Sequence, residues 1–245
     1  SAINIKRVEE LSQLGLMRPP GLAAFALLDK RRTNRYSFEN TPVLVHAGPF
    51  GNIATGNSSI VADLIGIHMG DYLVTEAGFG ADMGAERFFN IKCRTSGLVP
   101  DAAVLVTTVR ALKAHSGKHK IVAGKALPAE LLAENPSDVE AGGANLKKQI
   151  ENVKAHGVTP VVAINAFPTD HKSEHDVIRR IAAEAGARVA VCTHFADGGA
   201  GAVALAEAVD GDAELHVLQL AQRGVFLADL ADHGRAFGDL ELQVG

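Results

Sequence analysis

Short apolar runs alternate along this chain with longer stretches whose apolar residues recur three and four positions apart. The runs Val43–His46, Tyr72–Thr75, Ala103–Thr107, Val161–Asn165 and Arg188–Cys192 are β-branched or apolar and end at polar or small residues, which predicts buried strands. Ser58–Met69, Met83–Cys93, Ser137–His156, Ser173–Ala185 and Gly201–Val209 carry helical spacing. Such alternation implies parallel strands joined by right-handed crossovers, with helices packed on both faces of the sheet. Strands that are apolar nearly throughout fit a sheet covered on both sides. The expected fold class is α/β: a three-layer, mostly parallel sheet with helices on both faces.

Capping signals set the expected helix ends. Asp82 precedes a helix with Glu86 in its first turn, and Ser137 has Glu140 three positions on, the spacing of a capping box. Gly157 and Gly186 fall where helices should stop. Ser116–Asn135 reads as an excursion from the strand-helix alternation. Residues 1–20 are weakly patterned, close on Pro19-Pro20-Gly21, and read as an N-terminal arm. Residues 21–210 then form the α/β domain, and 211–245 a C-terminal helical segment. No internal repeat is visible.

Composition narrows the setting. A chain of 245 residues with 47% hydrophobic and 21% charged residues is ordinary for a globular α/β domain. A net charge of −4 gives no nucleic-acid footprint. No apolar run approaches the roughly 20 residues a membrane-spanning helix needs, so no membrane partner is expected. The start, SAINIKRVEELSQ, lacks a signal peptide's apolar core. Cys93 and Cys192 lie far apart without metal-ligand spacing, which predicts reduced thiols and a cytoplasmic protein.

Candidate chemistry gathers after the strands. The segment from Gly51 to Ser58 has the glycine spacing of a phosphate-binding P-loop, but Asn57 stands where that motif needs lysine. A neutral amide cannot supply the lysine's charge. Gly51, Gly56, Asn57 and Ser58 form a candidate anion or phosphate set through loop amides, a tight structural turn being the plainer reading. The architecture thus resembles P-loop nucleotide-binding folds without a complete P-loop. Arg110 and Lys113 follow another strand and suit carboxylate or phosphate, or else a solvated helix face.

Phe167-Pro168 follows the fourth predicted strand, and Phe195 with Gly198-Gly199 follows the fifth. Aromatics at the carboxyl ends of neighbouring strands can form a stacking slot for a flat heterocycle, or simply plug the end of the core. Among ten histidines, His171 and His175 are four apart, yet no third ligand is evident and no metal site is assigned. Glu76 and Asp82 flank a glycine pair and could take a metal or a proton, although a helix cap explains Asp82. No G-x-S-x-G elbow occurs, and no residue is assigned a catalytic role.

The stretch His46-Ala-Gly-Pro-Phe-Gly-Asn-Ile-Ala-Thr-Gly-Asn-Ser-Ser59, followed by Thr75 to Arg94 (TEAGFGADMGAERFFNIKCR), resembles formate–tetrahydrofolate ligases, also called formyltetrahydrofolate synthetases. Those enzymes carry a wording close to H-G-G-P-F-A-N-I-A-H-G-C-N-S and T-E-A-G-F-G-A-D-x-G-A-E-K-F-F-D-I-K-C-R. Further similar stretches run through Val106–Gly117, Asn145–Asn152, Ala163–Asp170 and Val191–Gly199, so the likeness extends from about Gly21 to about Val209. It implies ATP-dependent formylation of tetrahydrofolate through formyl phosphate, with formate, ATP and Mg2+ as co-reactants and a homo-oligomeric assembly. It also implies that Phe167, Pro168, Phe195, Gly198 and Gly199 line the folate site, the two aromatics flanking the pterin ring. Phe195 takes the place of the family's tryptophan, Ala166 that of a frequent arginine, Thr55 that of histidine and Asn57 that of cysteine.

Three family segments do not occur in this sequence: G-x-x-x-x-G-K-[ST], L-R-E-P-S-L-G-P and K-G-G-A-A-G-G-G-Y. Phosphoryl transfer relies on lysine, arginine and magnesium to position and neutralise the phosphates. The expectation is a chain inactive or partner-dependent in isolation, with a companion chain supplying the P-loop domain. The alternatives are a degenerate folate- or nucleotide-binding module, or a structural subunit without turnover.

Overall fold

The computed structural model describes residues 24–27, 44–47, 57, 60–68, 72–122, 125–211 and 223–229. In chain order these form β1 (Ala24–Leu27), β2 (Leu44–Ala47), α1 (Ile60–Ile67), β3 (Tyr72–Gly80) and α2 (Ala81–Arg87), which runs on through a π-helical turn, Phe88–Cys93. Then come β4 (Ala102–Thr107), α3 (Val109–His115), α4 (Ala129–Leu132), α5 (Pro136–Ala155), β5 (Thr159–Asn165) and α6 (Lys172–Glu184). The last elements are β6 (Arg188–Cys192), α7 (His194–Asp197), α8 (Val203–Asp210) and β7 (Arg223–Asp229).

Five strands pair in the order β3-β7-β4-β5-β6, every pair parallel. Parallel pairing points all five carboxyl ends the same way, which is what gathers the loops after β4, β5 and β6 at one rim. On one face, Ala103 and Leu105 of β4 and Val162 and Ile164 of β5 pack under Val109 and Leu112 of α3, Leu146 and Ile150 of α5 and Ile178 of α6. On the other face Val104 and Ala163 meet Leu205 and Val209 of α8. Helices therefore cover both faces, as the strand-helix alternation implied. Each fully buried Leu, Ile or Val contributes about 1.5–3 kcal/mol, so this two-sided core is what fixes the sheet.

Two helix-interior glycines show how tightly the first face is packed. A Cβ on Gly142 of α5 would fall 1.8 Å from the Leu112 carbonyl oxygen of α3. One on Gly143 would fall 2.4 Å from Cδ1 of Ile181 on α6. Glycine weakens a helix by about 0.5–1 kcal/mol relative to alanine; here it lets α5 press against α3 and α6, the helices that carry the rim loops.

The same packing encloses charge. Lys113 of α3 pairs with Glu174 of α6, and both side chains are fully enclosed. The ammonium also donates to the carbonyls of Leu131 (3.1 Å) and Ala133 (2.7 Å). Glu174 accepts from the backbone N–H of Asn135 (2.8 Å) and of His171 (3.1 Å). A buried pair is tolerable when its remaining donors and acceptors are satisfied in this way. Beside β3, Lys92 lies 2.6 Å from Asp63 and donates to Thr75 at 3.2 Å, with burial holding its pKa below the ordinary lysine value. Burial also pushes the neighbouring Cys93 thiol up to about 11.

Several expectations are corrected. The run expected at Val43–His46 overlaps a strand, Leu44–Ala47, but this β2 pairs antiparallel with β1 in a separate two-stranded sheet. The place beside β3 belongs to β7, at 223–229, inside the segment expected to be helical; it bonds to β3 on one side and β4 on the other. Its short Val225-Phe226-Leu227 run suits a central strand, and its pairing with β3 and β4 is a long-range contact a local pattern does not carry. The cap of α5 is Asn135, whose side chain accepts from the Asp138 N–H at 3.2 Å, with Pro136 in the first turn. Ser137 instead donates to that same Asn135 oxygen. Asp82 lies inside α2, whose N-cap is Gly80 with no side-chain cap. Gly157 and Gly186 do end helices, at φ of 77° and 73°. The excursion at 116–135 holds the short α4.

Candidate functional site

The rim where β4, β5 and β6 end brings three loops together. Thr108 extends from β4 and caps α3, its hydroxyl accepting from the Ala111 N–H at 3.1 Å. One residue into that helix comes Arg110. Beyond β5, the Ala166 N–H donates to the Cys192 carbonyl of β6 at 3.0 Å, carrying the pairing one step past the strand. The chain then folds back on itself. Asp170 Oδ2 accepts from the Phe167 N–H at 2.9 Å, while the Asp170 N–H donates to the Phe167 carbonyl at 2.9 Å. This closed four-residue turn, stiffened by Pro168, fixes where the Phe167 side chain leaves the backbone.

Asp170 has a second partner. His175 Nε2, one turn into α6, lies 3.3 Å from the same carboxylate oxygen. Arg110 reaches over from the β4 side, with its guanidinium carbon 3.6 Å from the Phe167 ring centroid. Nη2 of Arg110 is 3.5 Å from the Thr169 hydroxyl, and its Nε is buried with no hydrogen-bond partner among the described residues. Burial lowers the Arg110 pKa, against the opposing pull of Asp170.

The third loop follows β6. Thr193 donates its hydroxyl to Asp197 at 2.7 Å and its backbone N–H to the Gly201 carbonyl at 3.0 Å. Gly201 sits so close that a Cβ there would lie 2.6 Å from the Thr193 carbonyl carbon. Gly198 turns the chain at φ 59°, a conformation glycine adopts without strain. On this loop Phe195 stands 87% exposed, and Cys192 Sγ lies 3.0 Å from Nδ1 of His194. A large aromatic held in solvent on a glycine-rich loop has no packing role of its own.

The structure thus places Phe167 and Pro168 after β5, and Phe195, Gly198 and Gly199 after β6, on loops that follow neighbouring strands paired Asn165 to Cys192. It sets Arg110 against Phe167. Lys113 belongs to the enclosed pair with Glu174 and presents no charge to the rim, which corrects the reading of it as an anion ligand. Asn57 makes an isolated antiparallel bridge to Ala77 of β3, whereas Gly51, Gly56 and Ser58 lie outside the described residues. His171 and His175 turn to different carboxylates, Glu134 at 3.8 Å and Asp170. No group of three or more metal-ligating side chains occurs among the described residues.

Asp170 and Glu174 were not singled out by sequence. For Asp170 the signal existed: an aspartate three positions after the aromatic, with proline between, is turn spacing. For Glu174 there was none, since an acidic residue in a first helical turn ordinarily faces water.

The family model for formate–tetrahydrofolate ligase matches residues 27–222. A formate–tetrahydrofolate ligase of Saccharopolyspora erythraea is 74% identical over 176 residues, covering 72% of this chain and 31% of that protein. Formate–tetrahydrofolate ligase 3 of Rubrobacter xylanophilus is 68% identical over 195 residues, 79% of this chain and 34% of the relative. The enzyme so named in Cutibacterium acnes is 63% identical over 190 residues, 77% and 34% respectively. The chain spans about a third of the length of the curated relatives it matches.

Proposed function

Because this chain belongs to the formate–tetrahydrofolate ligase family, we propose that its rim supplies the folate-binding part of the ATP-dependent formylation of tetrahydrofolate. The pterin ring stacks between Phe167 and Phe195, over a floor made by Pro168, Gly198 and Gly199. The observation that carries this is the placement of a turn-locked aromatic and a solvent-exposed one beyond two paired parallel strands. Each aromatic pairing is worth about 0.5–1.5 kcal/mol beyond area burial. Ligands of open α/β sheets sit at the carboxyl ends of the strands, which agrees with this rim.

Formate and MgATP are the other reactants of the proposed reaction. The residues present do not fit them: no glycine loop closing on lysine, G-x-x-x-x-G-K-[ST], occurs in this sequence, and the described residues gather no metal-ligand set. No step through ATP is therefore derived from this chain, and formyl transfer depends on groups supplied by a companion chain or segment. Partners of that kind, or further copies of this chain, have a candidate contact on β3, one of the two outer strands of the described five-stranded sheet, where Val74 is 60% exposed beside Tyr72. Two free thiols agree with a cytoplasmic setting; no helix among the described residues is long and apolar enough to cross a membrane.

The test is calorimetric titration of the chain with tetrahydrofolate under reducing conditions. Saturable binding is expected, weakened by Phe195→Ala and kept or improved by Phe195→Trp, which restores a larger stacking face. Absence of binding at millimolar ligand would remove the folate slot.

A further inference from the structure

Building on the folate-slot reading, we infer that Arg110 is a positioning and selectivity residue of that slot, acting from behind Phe167 and not as an anion ligand. Three observations combine. The guanidinium lies over the Phe167 ring at 3.6 Å from its centroid. The strand order β4-β5-β6 puts Arg110's helix on one side of Phe167 and the Phe195 loop on the other. The contacts that hold the arginine are few: a 3.5 Å approach to Thr169 and a buried Nε without a partner among the described residues. A guanidinium with so little hydrogen bonding is there for its plane and its charge.

The consequence is chemical. A cation on one face of a benzene ring draws π density toward itself. The opposite face of Phe167, the one that receives the pterin in the proposed slot, becomes less negative. Stacking follows the match of ring quadrupoles, so that face then favours an electron-rich heterocycle over an electron-poor one. The reduced tetrahydropterin is electron-rich; the fully oxidised pteridine of folic acid is not. Arg110 thereby biases the slot toward the reduced cofactor, while Asp170, bonded to the Phe167 N–H and facing His175, holds the ring in place.

Calorimetry of the chain with tetrahydrofolate and with folic acid tests this, on wild type and on Arg110→Met, Arg110→Gln and Arg110→Lys. Loss of the charge in R110M and R110Q should weaken tetrahydrofolate binding roughly three- to tenfold and folic acid much less, narrowing the preference. R110K, which keeps charge but not the plane, should restore part of that preference. Two neutral variants guard against one failing to fold, as judged by circular dichroism. If both ligands weaken by the same factor, or neither changes, Arg110 only braces the loop and the inference falls while the slot stands. A wild-type chain that binds neither ligand removes the slot and the inference together.

Discussion

Glu174→Ala tests whether the enclosed charge network holds the rim in place. The glutamate serves Lys113 and the backbone N–H groups of Asn135 and His171, linking α3, the start of α5 and the start of α6. Alanine leaves an ammonium 1% exposed, facing two carbonyls and no countercharge. Removing one partner of a buried pair costs about 3–5 kcal/mol. The two amides lose an acceptor as well, but both residues are only half-buried and water can replace it, so their share stays near the low end of about 1–3 kcal/mol each. A loss of about 5–7 kcal/mol is expected, a large part of the 5–15 kcal/mol that stabilises a typical domain. Urea unfolding followed by far-ultraviolet circular dichroism measures it; the chain has no tryptophan to report by fluorescence. The double variant Lys113→Met/Glu174→Leu leaves no buried charge and should be more stable than Glu174→Ala. A loss below about 1 kcal/mol in the single variant, or a double variant no better than the single, would refute the reasoning.

Gly142→Ala should destabilise by about 1–3 kcal/mol or more, because the new methyl meets the backbone oxygen of Leu112 and the helices must part. Gly143→Ala, which meets the movable end of Ile181, should cost less, and thermal melts of the two variants rank them. Asp138 is held below its ordinary carboxyl value of 3.8 by Lys118 at 2.5 Å, against burial, and by His119 at 2.7 Å. Its contribution is therefore present in full above that ordinary value and lost as pH falls through the lower folded one. The gap in urea midpoint between wild type and Asp138→Asn should be wide at pH 7 and close in acid; a gap independent of pH would count against the pairing.

Ser173–Ala185 and Ser137–His156 were legible as helices to within a residue or so because amphipathic spacing is a local property, and their glycine stops required a positive φ that few other residues take. Parallel strands at 102–107, 159–165 and 188–192 were legible for the related reason that a strand covered on both faces is apolar throughout. The wording around Thr75–Arg94 carried the family, and the positions of Phe167 and Phe195 after their strands carried the candidate slot. Strand partnership was not in the pattern. β2 and β7 are both short apolar runs, and which of them enters the sheet depends on contacts across the chain. Nor could sequence separate Lys113 from Arg110, two cations three positions apart on one helix. A fold that buries one against Glu174 and lays the other over Phe167 decides their roles, because burial and neighbouring charge are properties of the packed structure.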